Sequence, residues 1–273
     1  MFQLPGQALS NLPKPFSPTQ NRPAAFSSEA QQFFDRLVTP PDAARKSLYA
    51  TLIDGLVTEG LWNRLDCLYV AGVDKETMLT NLVSEDFHAV ELNAGGSLAF
   101  VADRGITGAF PNVIDTTFDP ASAVGAHYTH NSASFFAFVR NGGTTSAASA
   151  VAIGSNSSFG GVDTQLYTNY PSIGTIANIN FSGYISFSDP TGSGFYLVNR
   201  ESADSVTLYK NGTLMGTNDP EESPTWAAGN TFKFAIQNAR QVSLFGAASS
   251  FDSSEQGVLN TVCQAFLSGI GAG

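Results

Sequence analysis

Hydrolysis of a glycan requires two carboxylates that face each other across a sugar-sized gap. A β-rich chain commonly meets that demand with acids two residues apart on one strand, as in Glu-x-Asp-x-Glu. This sequence has no such run, and from Pro120 to Ser188 its charged residues are Arg140 and Asp163 alone. His127 and His130 are three apart, a spacing that on a strand sends the two rings to opposite faces, and His88 stands by itself. None of them completes a zinc set with Cys67 and Cys263, which lie far apart in the chain and read as buried small hydrophobes. Asp103, Asp115 and Asp119 are oxygen ligands of the kind calcium prefers, but aspartates so spaced more commonly shape turns and caps. Neither a Gly-x-Ser-x-Gly elbow between strand and helix nor a phosphate-cradling glycine loop occurs. The expectation is a chain with no catalytic residues, no cofactor and no metal.

What the chain does offer is aromatic surface. Tyr167, Tyr170, Tyr184 and Trp226 are candidates for stacking on sugar rings. Asp219, Glu221 and Glu222, beside Pro220 and Pro224, read as an acidic solvated loop. The net charge is −10, from 13 basic and 23 acidic residues, which speaks against nucleic acid or an anionic membrane as partner through a broad basic footprint. A 273-residue chain with 42% hydrophobic residues can bury a sizeable core. With 13% charged residues, its surface must be built largely from Ser, Thr, Asn and Gly. No run of about 18 apolar residues is present to span a membrane, and Met1 to Ser10 lack the basic and apolar regions of a signal peptide. The expected product is made in the cytoplasm and stays soluble.

The elements that must position these residues fall into three parts. Residues 1–27 carry Pro5, Pro13, Pro15, Pro18 and Pro23, which favour an extended arm. It is either a flexible tail or a strap that orders on a neighbouring subunit, with Phe2, Leu4, Leu9, Leu12 and Phe16 as the partner-binding side chains it would bury. Residues 28–84 read as a helical segment packed on a sandwich. Ser28-Glu-Ala-Gln31 resembles a capping box ahead of Phe33, Phe34, Leu37 and Val38. Leu48, Tyr49, Leu52, Ile53, Leu56 and Val57 form one helical stripe between Asp42 and Thr58. A turn over 61–66, an apolar strand over 67–70 and a helix over 74–83 follow.

From residue 85 to 273 the hydrophobic period is 2, and short strands with turn signals predict an antiparallel β-sandwich or jelly roll. Ser134 to Arg140 is apolar on both faces, as a strand covered on both sides must be. Between Thr175 and Phe187 the odd positions face inward, with a bend at Gly183. Asn211-Gly212 supplies the two positive φ angles of a type I′ turn, which opposes Lys210 to Thr213, Tyr209 to Leu214 and Leu208 to Met215. Asp252, with Glu255 three residues on, caps a last helix whose apolar side is Leu259, Val262, Cys263, Phe266, Leu267 and Ile270.

Several of these pieces together resemble a group of bacteriophage and prophage virion proteins with a concanavalin A-like (laminin-G-like) jelly roll. They are Gly60-Leu-Trp-Asn-Arg-Leu-Asp-Cys-Leu-Tyr-Val70, Leu79-Thr-Asn-Leu82, Ala102-Asp-Arg-Gly-Ile-Thr-Gly108 and Ile114-Asp-Thr-Thr-Phe-Asp-Pro120. His130-Asn-Ser-Ala-Ser134, Leu208-Tyr-Lys-Asn-Gly212 and the ending Ile270-Gly-Ala272 complete the set, which spans most of residues 43–273. The resemblance implies a non-enzymatic virion protein, a capsid decoration or tail appendage, that assembles with other virion proteins and with copies of itself. It supplies no catalytic residues. The alternative is a carbohydrate-binding module that recognises a host surface glycan, and a second alternative is a jelly-roll glycan hydrolase.

Overall fold

The computed structural model describes residues 26–92, 98–107, 112–141, 151–154, 163–170, 172–181, 183–219, 230–234 and 241–273. Phe2, Leu4, Leu9, Leu12, Phe16, Trp226, Glu221 and Glu222 lie outside them. The chain opens with α1 (Ser28–Arg36) and α2 (Ala43–Thr58), a 3-10 turn at Trp62–Arg64, β1 (Leu65–Val70) and α3 (Lys75–Leu79). Then come β2 (Val90–Leu92), β3 (Ala99–Val101), β4 (Gly105–Thr107), β5 (Val113–Asp115), β6 (Ala133–Asn141), β7 (Val151–Gly154) and β8 (Asp163–Tyr170). The rest are β9 (Gly174–Phe181), β10 (Ile185–Phe187), β11 (Gly194–Ser202), β12 (Ser205–Lys210), β13 (Thr213–Asn218), β14 (Lys233–Phe234), β15 (Gln241–Ala248) and α4 (Ser253–Gly269).

These strands make the antiparallel β-sandwich that the period predicts. One sheet runs β13-β12-β11-β6-β15-β4-β3, with β1 paired to β15 beside β4, and the facing sheet runs β10-β9-β8-β7-β14-β5-β2. The first sheet is the middle layer of three. Along β6, Phe135, Ala137 and Val139 enter the core between the sheets, while Phe136 and Phe138 enter a second core under the helices. That second core collects Phe33, Tyr49, Leu52, Ile53 and Leu56 from α1 and α2, and Leu259, Cys263, Phe266 and Leu267 from α4. The both-sided apolar character of Ser134 to Arg140 thus has a second sheet on one side and helices on the other.

Local chemistry explains where the elements stop. The Asp252 side chain accepts from Ser254 N and Glu255 N, and Glu255 reaches back to Asp252 N, so the capping box forms as the sequence predicts. At α1 the cap is Ser27 and not Ser28: Ser27 Oγ accepts from Ala30 N, while Ser28 bonds Glu29. Leu37 is already extended, so the helical stripe ends before Val38, which is 85% exposed. α3 stops at Leu79, short of the predicted Val83. Asn81 spends its side chain on Leu68 N, Val83 N and the carbonyls of Asp66 and Asp86, which ties this stretch to β1 in place of a helical turn.

The Asn211-Gly212 turn has φ of 49° and 76°, and pairs Lys210 with Thr213 and Tyr209 with Leu214 as predicted. The third predicted pair fails: Leu208 faces Gly216, with a register shift that leaves Met215 unpaired. The bulge belongs to an edge strand, where extra twist lets β13 approach β10 of the other sheet, and a Cβ on Gly216 would meet Ile185 there. Thr175, Ala177, Ile179 and Phe181 do point inward. The predicted bend at Gly183 is instead a reversal, since β9 and β10 are separate antiparallel strands.

Layer spacing sets a sharp steric limit at Gly246 of β15, where an added Cβ would overlap the Phe136 ring. Gly246→Ala is expected to destabilise the fold by about 1–3 kcal/mol through overpacking. Urea unfolding checks this: the midpoint falls with an unchanged slope, and an unchanged midpoint would contradict the tight interlayer fit.

Candidate functional site

Strand directions gather one set of polar residues at a single end of the sandwich. β6, β8, β10 and β12 finish there and β9, β11 and β15 begin there, which brings Arg140, Tyr170, Asp189, Gly194 and Asn211 to the same rim. Asp189 is its hub. The carboxylate accepts from Lys210 Nζ at 2.6 Å, Tyr196 Oη at 2.5 Å, Thr175 Oγ1 at 2.9 Å and Thr191 Oγ1 at 2.9 Å, with Thr191 N and Gly192 N as further donors. Thr175 belongs to one sheet and Tyr196 and Lys210 to the other, so this carboxylate ties the two sheets together. Its side chain is 2% exposed. Burial alone would push the Asp189 carboxyl up, but the hydrogen bonds from Lys210, Tyr196, Thr175 and Thr191 outweigh it and hold the group below the usual carboxylate range.

Beside the hub lies a groove of about 680 Å³, bounded by the ends of β6 and β11, the 191–194 loop, the Asn211 turn and α4. Asn211 Oδ1 accepts from Phe195 N at 2.8 Å and from Gln264 Nε2 at 3.3 Å, which pins the turn to both walls. Arg140 reaches in from β6, and its Nη1 donates to Gln241 at 3.2 Å.

The predicted sugar-stacking residues divide. On β8, Leu166 faces the core and Tyr167 the opposite side, on the sheet face away from the helices. Tyr170, three residues on, would point inward on a regular strand. Asn169 instead adopts φ of 54° and the register shifts between Tyr167 and Tyr170. The two half-buried rings therefore meet edge to face, 5.8 Å apart. Tyr184 is 58% exposed on the β9–β10 connection, apart from that pair.

Other sequence candidates are engaged in structure. Asp103 pairs with Arg45 of α2, Asp115 with Lys233 and Thr231, and Asp119 accepts from Ala121 N and Ser122 Oγ in a turn. His127 and His130 lie in the loop before β6 and not on a strand, so the alternation expected of them does not apply. His127 N donates to Asp66, and His88 Nδ1 accepts from Asn81 N. Among the described residues no group of three His, Cys, Asp or Glu could hold a metal. Cys67 is buried between the sheets and Cys263 under the helices, both as free thiols. At the far end of the sandwich a recess of about 420 Å³ is lined by Pro120, Ala126, Tyr128 and His130.

No protein-family model matches the chain, and no curated protein does. Solved structures do share its fold. The receptor binding domain of botulinum neurotoxin D aligns with 73% of this chain at 13% identity and a TM-score of 0.51, over 53% of its own length. A botulinum neurotoxin type C structure, concerned with cell entry dependent upon interaction with two ganglioside molecules, aligns with 72% at 14% identity and a TM-score of 0.51, over 51% of its length. A Trypanosoma rangeli sialidase in complex with sialic acid aligns with 81% at 9% identity and a TM-score of 0.53, over 39% of its length. The chain thus spans about half the length of the toxin domains it matches, and at these identities the likeness is one of fold.

Sequence alone singled out neither Asp189 nor the groove. The available signal was sparsity: a lone Arg140 in a long stretch almost without charge. Because Asp189 titrates below the unfolded-state value of about 3.9, its contribution to stability is complete above that pH and is lost as pH falls through the folded value. Asp189→Asn is expected to destabilise the protein by about 3–5 kcal/mol at neutral pH, as breaking a buried ion pair does. The gap to wild type should hold down to about pH 4 and narrow below it. Chemical denaturation at several pH values checks this, and a gap that persists undiminished at pH 2 would contradict the hub.

Proposed function

We propose that this chain is a non-enzymatic glycan-binding module, displayed on a virion to engage the host surface. The observation that carries the reading is the Tyr167–Tyr170 pair, two rings brought to one face by a strand irregularity, on the sheet against which none of the described helices packs. A bulge that re-aims a side chain is the kind of local departure strands use to build sites. Aromatic rings with hydroxyl tips suit sugars, which present apolar C–H faces edged by hydroxyls. The toxin domains and the sialidase, which share the fold, bind receptors, gangliosides or sialic acid by their own descriptions. That company favours recognition of a glycan over a purely architectural part.

The state of the Asp189 carboxylate supports binding without turnover. The acid that the rim supplies, Asp189, is saturated with donors and held ionised, so it has no proton to give a leaving group. The virion setting rests on the resemblance to phage proteins. The segments that carry that resemblance are scaffold: Trp62, Leu65 and Leu68 lie in the helix-side core, and Asn81 locks β1 to the chain beyond α3. The resemblance therefore speaks for the frame, and the tyrosine face for what the frame presents.

Purified chain is expected to bind host cells saturably and to compete with adsorption of its particle. Tyr167→Ala and Tyr170→Ala should each weaken binding roughly tenfold, in line with about 1 kcal/mol or more per aromatic contact, with thermal unfolding little changed. Binding that survives both substitutions would sink the tyrosine face, and binding without competition would sink the virion setting.

A further inference from the structure

We propose that the groove beside the Asn211 turn is a subsite for the carboxylate of an acidic sugar, with Arg140 as the residue that reads it. The inference deepens the glycan-binding reading and rests on it. Arg140 lines the groove and is half-buried. No acid pairs with it among the described residues, and its hydrogen bond there goes to neutral Gln241. Its Nε is fully buried and makes no hydrogen bond at all. A buried guanidinium donor without an acceptor is costly and uncommon in a folded protein. Lys210, a half-buried cation of the same rim, is by contrast neutralised by Asp189. On a chain of net charge −10, Arg140 thus brings to the groove a guanidinium that no described side-chain carboxylate pairs with, with Gly273 also in the lining.

The planar guanidinium donates in a fork that matches a carboxylate. Around it stand groups suited to sugar hydroxyls. Ser193 lines the groove with its hydroxyl, Asn211 keeps its Nδ2 donors, and Gln264 its Oε1 acceptor, since the bonds Asn211 and Gln264 make use other atoms. A volume of about 680 Å³ lies within the usual range for a small-molecule site. Charge, fork and polar rim together favour a carboxylated sugar over a neutral one.

The test uses the full chain and NMR of the arginine Nε–H groups, titrated with glucuronic acid, its methyl ester and acetate. The Arg140 signal is expected to shift with glucuronic acid at concentrations at least tenfold below those needed of the ester or acetate. Arg140→Ala should lose roughly 10- to 100-fold in affinity for acidic oligosaccharides, the range of a charge-assisted hydrogen bond, and leave neutral ones unchanged. Arg140→Lys, which keeps the charge and loses the fork, should recover only part. Equal response to acid and ester, or to acetate and acid, would overturn the subsite while glycan binding stands. Tyr167-dependent binding to neutral glycans alone would do the same, whereas no binding to any glycan would remove the underlying reading with it.

Discussion

A sheet that is apolar on both faces cannot be left with one of them in water, and the architecture follows from that constraint. β6 sends Phe135 one way and Phe136 the other, and its neighbours β11 and β15 do likewise with Tyr196 and Leu197, and with Phe245 and Leu244. One face must therefore meet a second sheet and the other a helical layer. The facing sheet escapes the demand. It buries Leu166, Ala177 and Ile179 inward and leaves Tyr167, Ile176 and Asn178 half-buried on its outer side. Among the described residues the two sheets are thus asymmetric, with helices packed on one outer face and not on the other.

Holding two sheets in register at a loop-rich end needs more than apolar contact. Asp189 provides it by accepting from Thr175 on one sheet and from Tyr196 and Lys210 on the other. The arrangement fixes the 191–194 loop, and with it one wall of the groove that Arg140 enters from β6. Structural clamp and candidate ligand site are adjacent, so a rigid rim presents polar groups that need not be ordered on binding.

Much of this frame was legible in the sequence because it depends on local chemistry and periodicity. The double-faced run at Ser134 to Arg140, the Asp252 box, the Asn211-Gly212 turn and the inward odd positions from Thr175 each follow from rules acting within a few residues. What escaped was set by tertiary contact. Met215 slips out of register because β13 lies at an edge against β10, and the helix expected to reach Val83 ends early because Asn81 is claimed by β1. The site was less legible still: Tyr167 and Tyr170 could be named, but not their meeting, which needs the positive φ of Asn169. Asp189 draws its partners from β9, β11 and β12, and no spacing along the chain announces that.

The central claim is that ligand is met at the outer face of the β8–β9 sheet and at the Asp189 rim, with α1 and α2 acting as support. Hydrogen exchange of the whole chain, with and without a saturating host-surface glycan, tests it most directly. The expected result is slowed exchange in β8, β9 and residues 189–194, with α1 and α2 unchanged. Saturable binding with slowed exchange confined to α1 and α2 would contradict it.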